Sequence, residues 1–210
     1  MAVVHQSKSG AVDATIDALR RGATVVVPTD TVYGLAALPT NDAAIAAIYE
    51  LKGRPDAMPL PVLGASFEQV TALGLEVTDD ATALAERWWP GPLTLVCGFS
   101  PLAEAPKWLE GRDELAVRVP DHPFLLQVMR HTGVILVTSA NPHGSPTPTT
   151  ADEVAKVLGA RVELIIDGGE LHGEPSTLVN VRHTPSIIER EGAIGAEAIN
   201  DLVAKGGGAP

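Results

Sequence analysis

A chain of 210 residues, 45% hydrophobic and 20% charged, can bury a sizeable single core, and its length does not call for a second domain. Its net charge of −11 opposes non-specific binding to nucleic acid, which relies on clustered Lys and Arg. With no apolar stretch long enough to span a bilayer, no signal-peptide pattern at the N-terminus and one cysteine, Cys97, the chain reads as a cytoplasmic protein without an internal disulfide framework.

Val12, Ile16 and Leu19 recur at helical spacing and mark a first helix. Residues 23–27 (ATVVV) form a β-branched run that reads as a buried strand ended by Pro28. Ligands of open α/β sheets sit beyond the carboxyl ends of strands, which is where Thr29, Thr31 and Tyr33 fall. The competing reading of equal weight is a turn whose threonines bond their own backbone. Tyr33-Gly34 then lets the chain turn away.

Asn41 or Asp42 caps a helix over residues 42–52 that carries Ile45, Ile48 and Tyr49 on one stripe, and Gly53 suits the position past its end. Lys52 and Arg54 leave this helix in different directions, because Arg54 precedes Pro55, and read as exposed cations able to grip separate phosphate oxygens. For Lys52 alone, an ordinary helix-dipole partner is the simpler reading. Pro61 to Leu63 is a short strand, and Trp88-Trp89-Pro90-Gly91 closes a helix with aromatics that read as packing rather than an adenine platform.

Strands follow at 93–97, 115–119 and 134–137. The last empties into a loop of hydroxyls and prolines, Thr138 to Thr150, suited to phosphate oxygens and to closing over a ligand. Thr150 caps a helix over Ala151 to Leu158, with Glu153 completing a capping box. Beyond it lie strands at 164–166, 177–181 and 186–189, a Gly168-Gly169 turn, and a short helix over 196–205. The last three strands stand too close for helical crossovers between them, so the α/β fold predicted is a twisted open sheet of mixed parallel and antiparallel strands flanked by helices. Residues 1–205 read as a single catalytic domain and 206–210 as a flexible C-terminal tail.

Neither Walker A nor GxGxxG occurs, and the six histidines, His122 and His143 among them, show no zinc spacing. Lys52, Arg54, Arg118, Arg182 and Arg190 are expected to form a local positive pocket on an acidic body. A purely structural Arg118 would instead pair with a near neighbour in sequence such as Asp113, Glu114 or Asp121.

In this order, PTDTVYGL with Thr31 and Tyr33, KGRP at 52–55, VRVPDHP at 117–123, SAN at 139–141 and GEPSTLVNV at 173–181 resemble the YrdC/Sua5 family in its short single-domain form, from about Val12 to Ile194. The resemblance implies the YrdC-like fold and a nucleotidyltransferase. That enzyme makes threonylcarbamoyl-AMP and pyrophosphate from L-threonine, bicarbonate and ATP, with Mg²⁺ on the phosphates and no metal held by protein side chains alone. The product would pass to downstream threonylcarbamoyl-transfer proteins that modify adenosine 37 of tRNA, without stable tRNA binding by this chain.

Carried over by position, Thr31, Arg118, Val137 and Ser176 would hold threonine, with Arg118 against its carboxylate. Lys52, Arg54, Met58, Ser139, Asn141, Thr147 and Arg190 would bind the nucleotide, and Lys52, Arg54, Ser139 and Asn141 would act in catalysis. The chain departs from the commonest pattern at Met58 (Asn or Lys in many members), Leu63 (His in some), Pro175 (Glu) and Asn180 (an acid). Two alternatives stand beside this reading: adenylation of another carbamate, as in hydrogenase-maturation carbamoyltransferases, and a non-catalytic nucleotide- or RNA-binding module of the same fold.

Overall fold

The computed structural model describes residues 1–53, 59–101, 107–109 and 111–206. Ten strands among them form one sheet: β1 (Ala2–His5), β2 (Val25–Val27), β3 (Gly34–Ala37), β4 (Val62–Leu63), β5 (Leu93–Gly98), β6 (Glu114–Arg118), β7 (Ile135–Ser139), β8 (Leu164–Asp167), β9 (Thr177–Asn180) and β10 (Ile187–Arg190). Their order across the sheet is β1-β8-β2-β3-β7-β4-β6-β5-β9-β10. The pairs β1·β8, β8·β2, β4·β6 and β5·β9 are parallel and the others antiparallel, which is the mixed sheet expected. The helices are α1 (Ala11–Arg20), α2 (Asp42–Lys52), α3 (Phe67–Thr71), α4 (Asp79–Trp88), α5 (Pro123–Thr132), α6 (Ala151–Leu158) and α7 (Ala196–Gly206). Of these, α1 packs against α5 and α4 against α7.

The core lies along the sheet's centre, where Val25, Val26, Val27, Leu35, Ile135 and Ile165 are fully buried. Local signals explain much of the framing. The Asn41 side chain accepts the Ala44 N–H at 3.0 Å to start α2, and Gly53 ends it with φ 57°, a left-handed conformation that only glycine adopts freely. Thr150 caps α6 by accepting the Glu153 N–H, whereas the Glu153 carboxylate reaches one residue further back than a capping box requires, to the Thr149 N–H at 2.8 Å.

Three differences from the sequence reading have physical causes. Gly34-Leu35-Ala36-Ala37 does not turn away but forms β3, paired on both sides to β2 and β7; tertiary pairing overrides the poor strand propensity of Gly and Ala. A Cβ at position 34 would sit 2.4 Å from Val137 Cγ1, so glycine is what lets the two strands close. An N-terminal strand, β1, adds to the edge through parallel pairing with β8. At the other end α7 continues through Gly206, placing that residue in the helix rather than in a tail; residues 207–210 lie outside the described residues.

Tyr33 is fully buried, and its hydroxyl donates to Gly169 O at 2.7 Å while accepting the Gly168 N–H at 3.0 Å. This tether pins the Gly168-Gly169 turn to the loop between β2 and β3, and burial pushes the phenol pKa up. Tyr33→Phe leaves both backbone groups without that partner. It is expected to lower stability by about 1–3 kcal/mol, or roughly 3–10 °C in melting midpoint for a domain of this size, with little change in substrate affinity. A calorimetric melting curve checks this.

Candidate active site

The loop from Pro28 to Tyr33 is built on Thr29, whose hydroxyl donates to Val32 O at 2.7 Å and accepts the N–H groups of Thr31 and Val32, each at 3.1 Å. Thr29 therefore makes the self-bonded turn, while the Thr31 hydroxyl faces Arg118. Thr31 Oγ1 lies 3.0 Å from Thr29 Oγ1 and accepts from Arg118 Nη1 at 3.1 Å. Gly173 packs directly on the loop: a Cβ there would meet Thr31 O at 2.3 Å, so the segment leading to Ser176 comes as close to Thr31 as backbone can.

The second and third motifs meet in space. Lys52 Nζ donates to Ser139 O at 2.5 Å and Asn141 O at 2.7 Å, with Ser139 Oγ at 3.4 Å and Asn141 Oδ1 at 3.3 Å. The Asn141 side chain also donates to Ser145 O, and Lys52 O accepts the His143 N–H at 2.7 Å. This corrects the reading of Lys52 as an exposed phosphate grip: only 4% of it is exposed, and its ammonium organises the Ser-x-Asn turn. The reason is topological, since β7 delivers its carbonyls to the end of α2, and buried carbonyls need a donor. Arg54 and Met58 fall outside the described residues.

A second cationic centre surrounds Arg118. Its Nε donates to Gly91 O at 2.9 Å, Nη1 to Thr31 and Nη2 to Asp30 Oδ1 at 2.6 Å. The Arg118–Asp30 pair is buried, with 7% and 11% of the two side chains exposed. Its partner is thus Asp30, from a loop 88 residues away, and none of the near neighbours Asp113, Glu114 or Asp121. The other oxygen, Asp30 Oδ2, is buried with no hydrogen-bond partner among the described residues, a condition that costs about 1–3 kcal/mol or more for a charged group.

Arg190 at the end of β10 donates to Ser176 O through Nη2 at 2.8 Å and Nε at 3.2 Å, and to Ser176 Oγ at 3.3 Å. Ser176 Oγ in turn lies 2.8 Å from Thr94 Oγ1. Desolvation and the nearby Arg118 charge both push the Arg190 pKa down. Two guanidinium groups that repel each other, balanced by one bonded carboxylate, leave one net positive charge at a place where hydroxyls converge. That arrangement is electrostatically suited to an anion.

The register places these centres. Gly34 pairs with Ser139 and Val27 with Gly34, so the β2–β3 loop and the Ser-x-Asn turn lie at the same end of these central strands. Arg118 also ends its strand, but β6 runs opposite to β7 and pairs through Leu63 with Ile135, at the far end of β7. Across that offset the Arg118 side chain still reaches the Asp30-Thr31 loop, which links its strand to the β2–β3 end.

Among the other expected residues, Val137 lies in β7, packed over Gly34, with its N–H bonded to Pro61 O at 3.0 Å. Thr147 is half-buried and lines a cleft of about 510 Å³ with Pro142, Pro146, Pro148 and Lys156. Arg190, expected in the nucleotide group, stands beside Ser176 and near Arg118. Arg182 leaves the pocket altogether: it pairs at the surface with Glu114, at the opposite end of β6 from Arg118. Leu63 is buried in β4, and Asn180 is satisfied by Glu189 and by the Arg182 N–H, a strand-end role rather than a ligand contact.

His122 caps α5, and burial lowers its pKa against the opposing pull of Asp30 and Asp121. Cys97 is an inert core thiol whose pKa burial pushes up to about 12. Trp89 donates its indole N–H to Leu93 O at 2.7 Å and packs on Phe67 with ring centroids 6.2 Å apart, a packing role as expected. Asp30 is the site residue that sequence reasoning missed. The signal available was the buried, cationic character of Arg118, which demands an acid that need not be near in sequence.

The family model Sua5_yciO_yrdC, described as "Telomere recombination", matches residues 17–192. The threonylcarbamoyl-AMP synthase of Pyrococcus abyssi (strain GE5 / Orsay) is 40% identical over 188 residues, which are 88% of this chain and 55% of that protein. The threonylcarbamoyl-AMP synthase of Bacillus subtilis (strain 168) is 39% identical over 187 residues, 88% of this chain and 54% of that protein. The crystal structure of P. abyssi Sua5 complexed with L-threonine superposes with a TM-score of 0.87 at 36% identity, covering 96% of this chain and 61% of that one. The chain thus spans about half the length of these curated relatives.

Proposed function

The chain belongs to the Sua5/YciO/YrdC family, and on that premise we infer that it is an L-threonylcarbamoyladenylate synthase, using L-threonine, bicarbonate and ATP. The observation that carries this reading is the Arg118–Arg190 centre, closed by Thr31 and Ser176, with one net positive charge suited to an amino acid's carboxylate. The threonylcarbamoyl-AMP synthase names of its relatives and a relative's structure with L-threonine support it.

In this mechanism, threonine is carboxylated on nitrogen by bicarbonate with loss of water. A carbamate oxygen then attacks the α-phosphorus of ATP, and the bond to the bridging oxygen breaks to release pyrophosphate. The reacting nucleophile belongs to the substrate, so the protein's work is positioning and charge stabilisation. Arg118 and Ser176 orient the amino acid, with the backbone around Val137 beside it. Lys52 holds Ser139 and Asn141 in a fixed turn whose donors face the nucleotide together with Thr147, and Arg54 and Met58 belong to the same nucleotide group. Arg190 stands where carbamate and phosphate would approach each other.

Among the described residues no three His, Cys, Asp or Glu side chains group into a metal site. Mg²⁺ would be held by the nucleotide's own phosphate oxygens, where it would neutralise charge developing on the departing pyrophosphate. Residues 1–205 act as one catalytic unit in the cytoplasm, and the product passes to downstream proteins that modify adenosine 37 of tRNA, with no stable tRNA binding here. No helix among the described residues is long and apolar enough to cross a membrane.

Isotopically labelled bicarbonate tests the reading. With threonine and ATP the label should appear in an adenylate identified by mass spectrometry, and an unlabelled adenylate, or none, overturns it.

A further inference from the structure

The carboxylate of Asp30 is half used. Oδ1 holds Arg118 Nη2 at 2.6 Å, while Oδ2 is enclosed with no partner among the described residues, in a side chain that keeps 11% of its surface exposed. Arg118 is likewise partly used: three of its five N–H donors are assigned, to Gly91, Thr31 and Asp30. One buried ion pair therefore presents a spare acceptor on the anion beside spare donors on the cation. A free amino acid is the complementary object, with an α-carboxylate and an α-ammonium on adjacent atoms.

We propose that Asp30 is a specificity-determining residue, whose Oδ2 accepts an N–H of the substrate's α-amino group while Arg118 holds its α-carboxylate. The terminal torsion of an aspartate is soft, so a small rotation can aim Oδ2 at an incoming donor while Oδ1 stays within reach of Arg118 and the backbone does not move. The contact outlasts the chemistry, because a primary amine that has become a carbamate still carries one N–H. A secondary amine carries none once carboxylated, so this pair selects primary α-amino acids. The inference rests on the threonine reading of the site and adds to it which group reads the amine.

The test uses calorimetric binding to the intact chain of L-threonine and of 3-hydroxybutyrate, which keeps the carboxylate and side-chain hydroxyl but lacks the amine. The wild type is expected to prefer threonine by about 10- to 100-fold, the range of a charged hydrogen bond. Asp30→Asn, which can still accept from Arg118, should bring the two ligands to within about threefold of each other. An Asp30→Asn protein that melts normally and keeps the full wild-type preference would overturn the role of Asp30 alone. Should that variant fold poorly, the wild type decides by itself: equal affinity for the two ligands overturns the proposal. Failure of the wild type to bind threonine at all overturns both this inference and the reading it rests on.

Discussion

Lys52→Ala is expected to reduce adenylate formation by about a hundredfold or more and to lower the melting midpoint at the same time. Lys52 is 4% exposed, and its ammonium bonds two backbone carbonyls, Ser139 O and Asn141 O. Truncation strips both of a charged donor, at a cost of about 2–4 kcal/mol, or roughly 5–15 °C in melting midpoint. The loss of rate has a separate origin, because the Ser139-Asn141 turn, proposed to bind the nucleotide, loses its fixed geometry, and misplaced donors stabilise developing charge poorly. Kinetics measured well below both melting midpoints separates the two effects. Normal turnover with a lowered midpoint would make Lys52 a purely structural residue.

Arg118→Lys should raise the threonine concentration needed for half-saturation by about 10- to 100-fold and leave the ATP requirement within about threefold. A lysine keeps the charge beside Asp30 but cannot reproduce a fork that serves Gly91, Thr31 and Asp30 together while keeping donors for a ligand. Stability falls too, since the pair with Asp30 is buried and a poorly matched partner leaves a carboxylate under-satisfied. Steady-state kinetics with each substrate varied, beside a melting curve, reads both effects. A destabilised variant whose two substrate requirements rise alike would assign Arg118 to structure alone.

What the sequence discloses here follows the range of each signal. The β-branched run ending at Val27, the Asn41 and Gly53 ends of α2 and the Thr150 start of α6 are written in adjacent residues, and they appear where local chemistry puts them. Strand β3 carries no such mark, because Gly34, Ala36 and Ala37 are strand residues only through their neighbours β2 and β7. The Lys52 cluster was legible as motifs, though not as a buried clamp, since burial of an ammonium depends on which carbonyls the sheet delivers to it. The Asp30–Arg118 pair depends on strand direction: it forms because β6 runs opposite to β7 and the β2–β3 loop meets it, and composition around either residue is silent about that.

The activity itself is most directly tested by incubating the protein with ATP, bicarbonate and a panel of amino acids, and measuring pyrophosphate. Release should require bicarbonate, be strongest with L-threonine, and match the threonylcarbamoyl-AMP formed mole for mole. Release that is absent with threonine, or equal across the panel and without any amino acid, would contradict this activity.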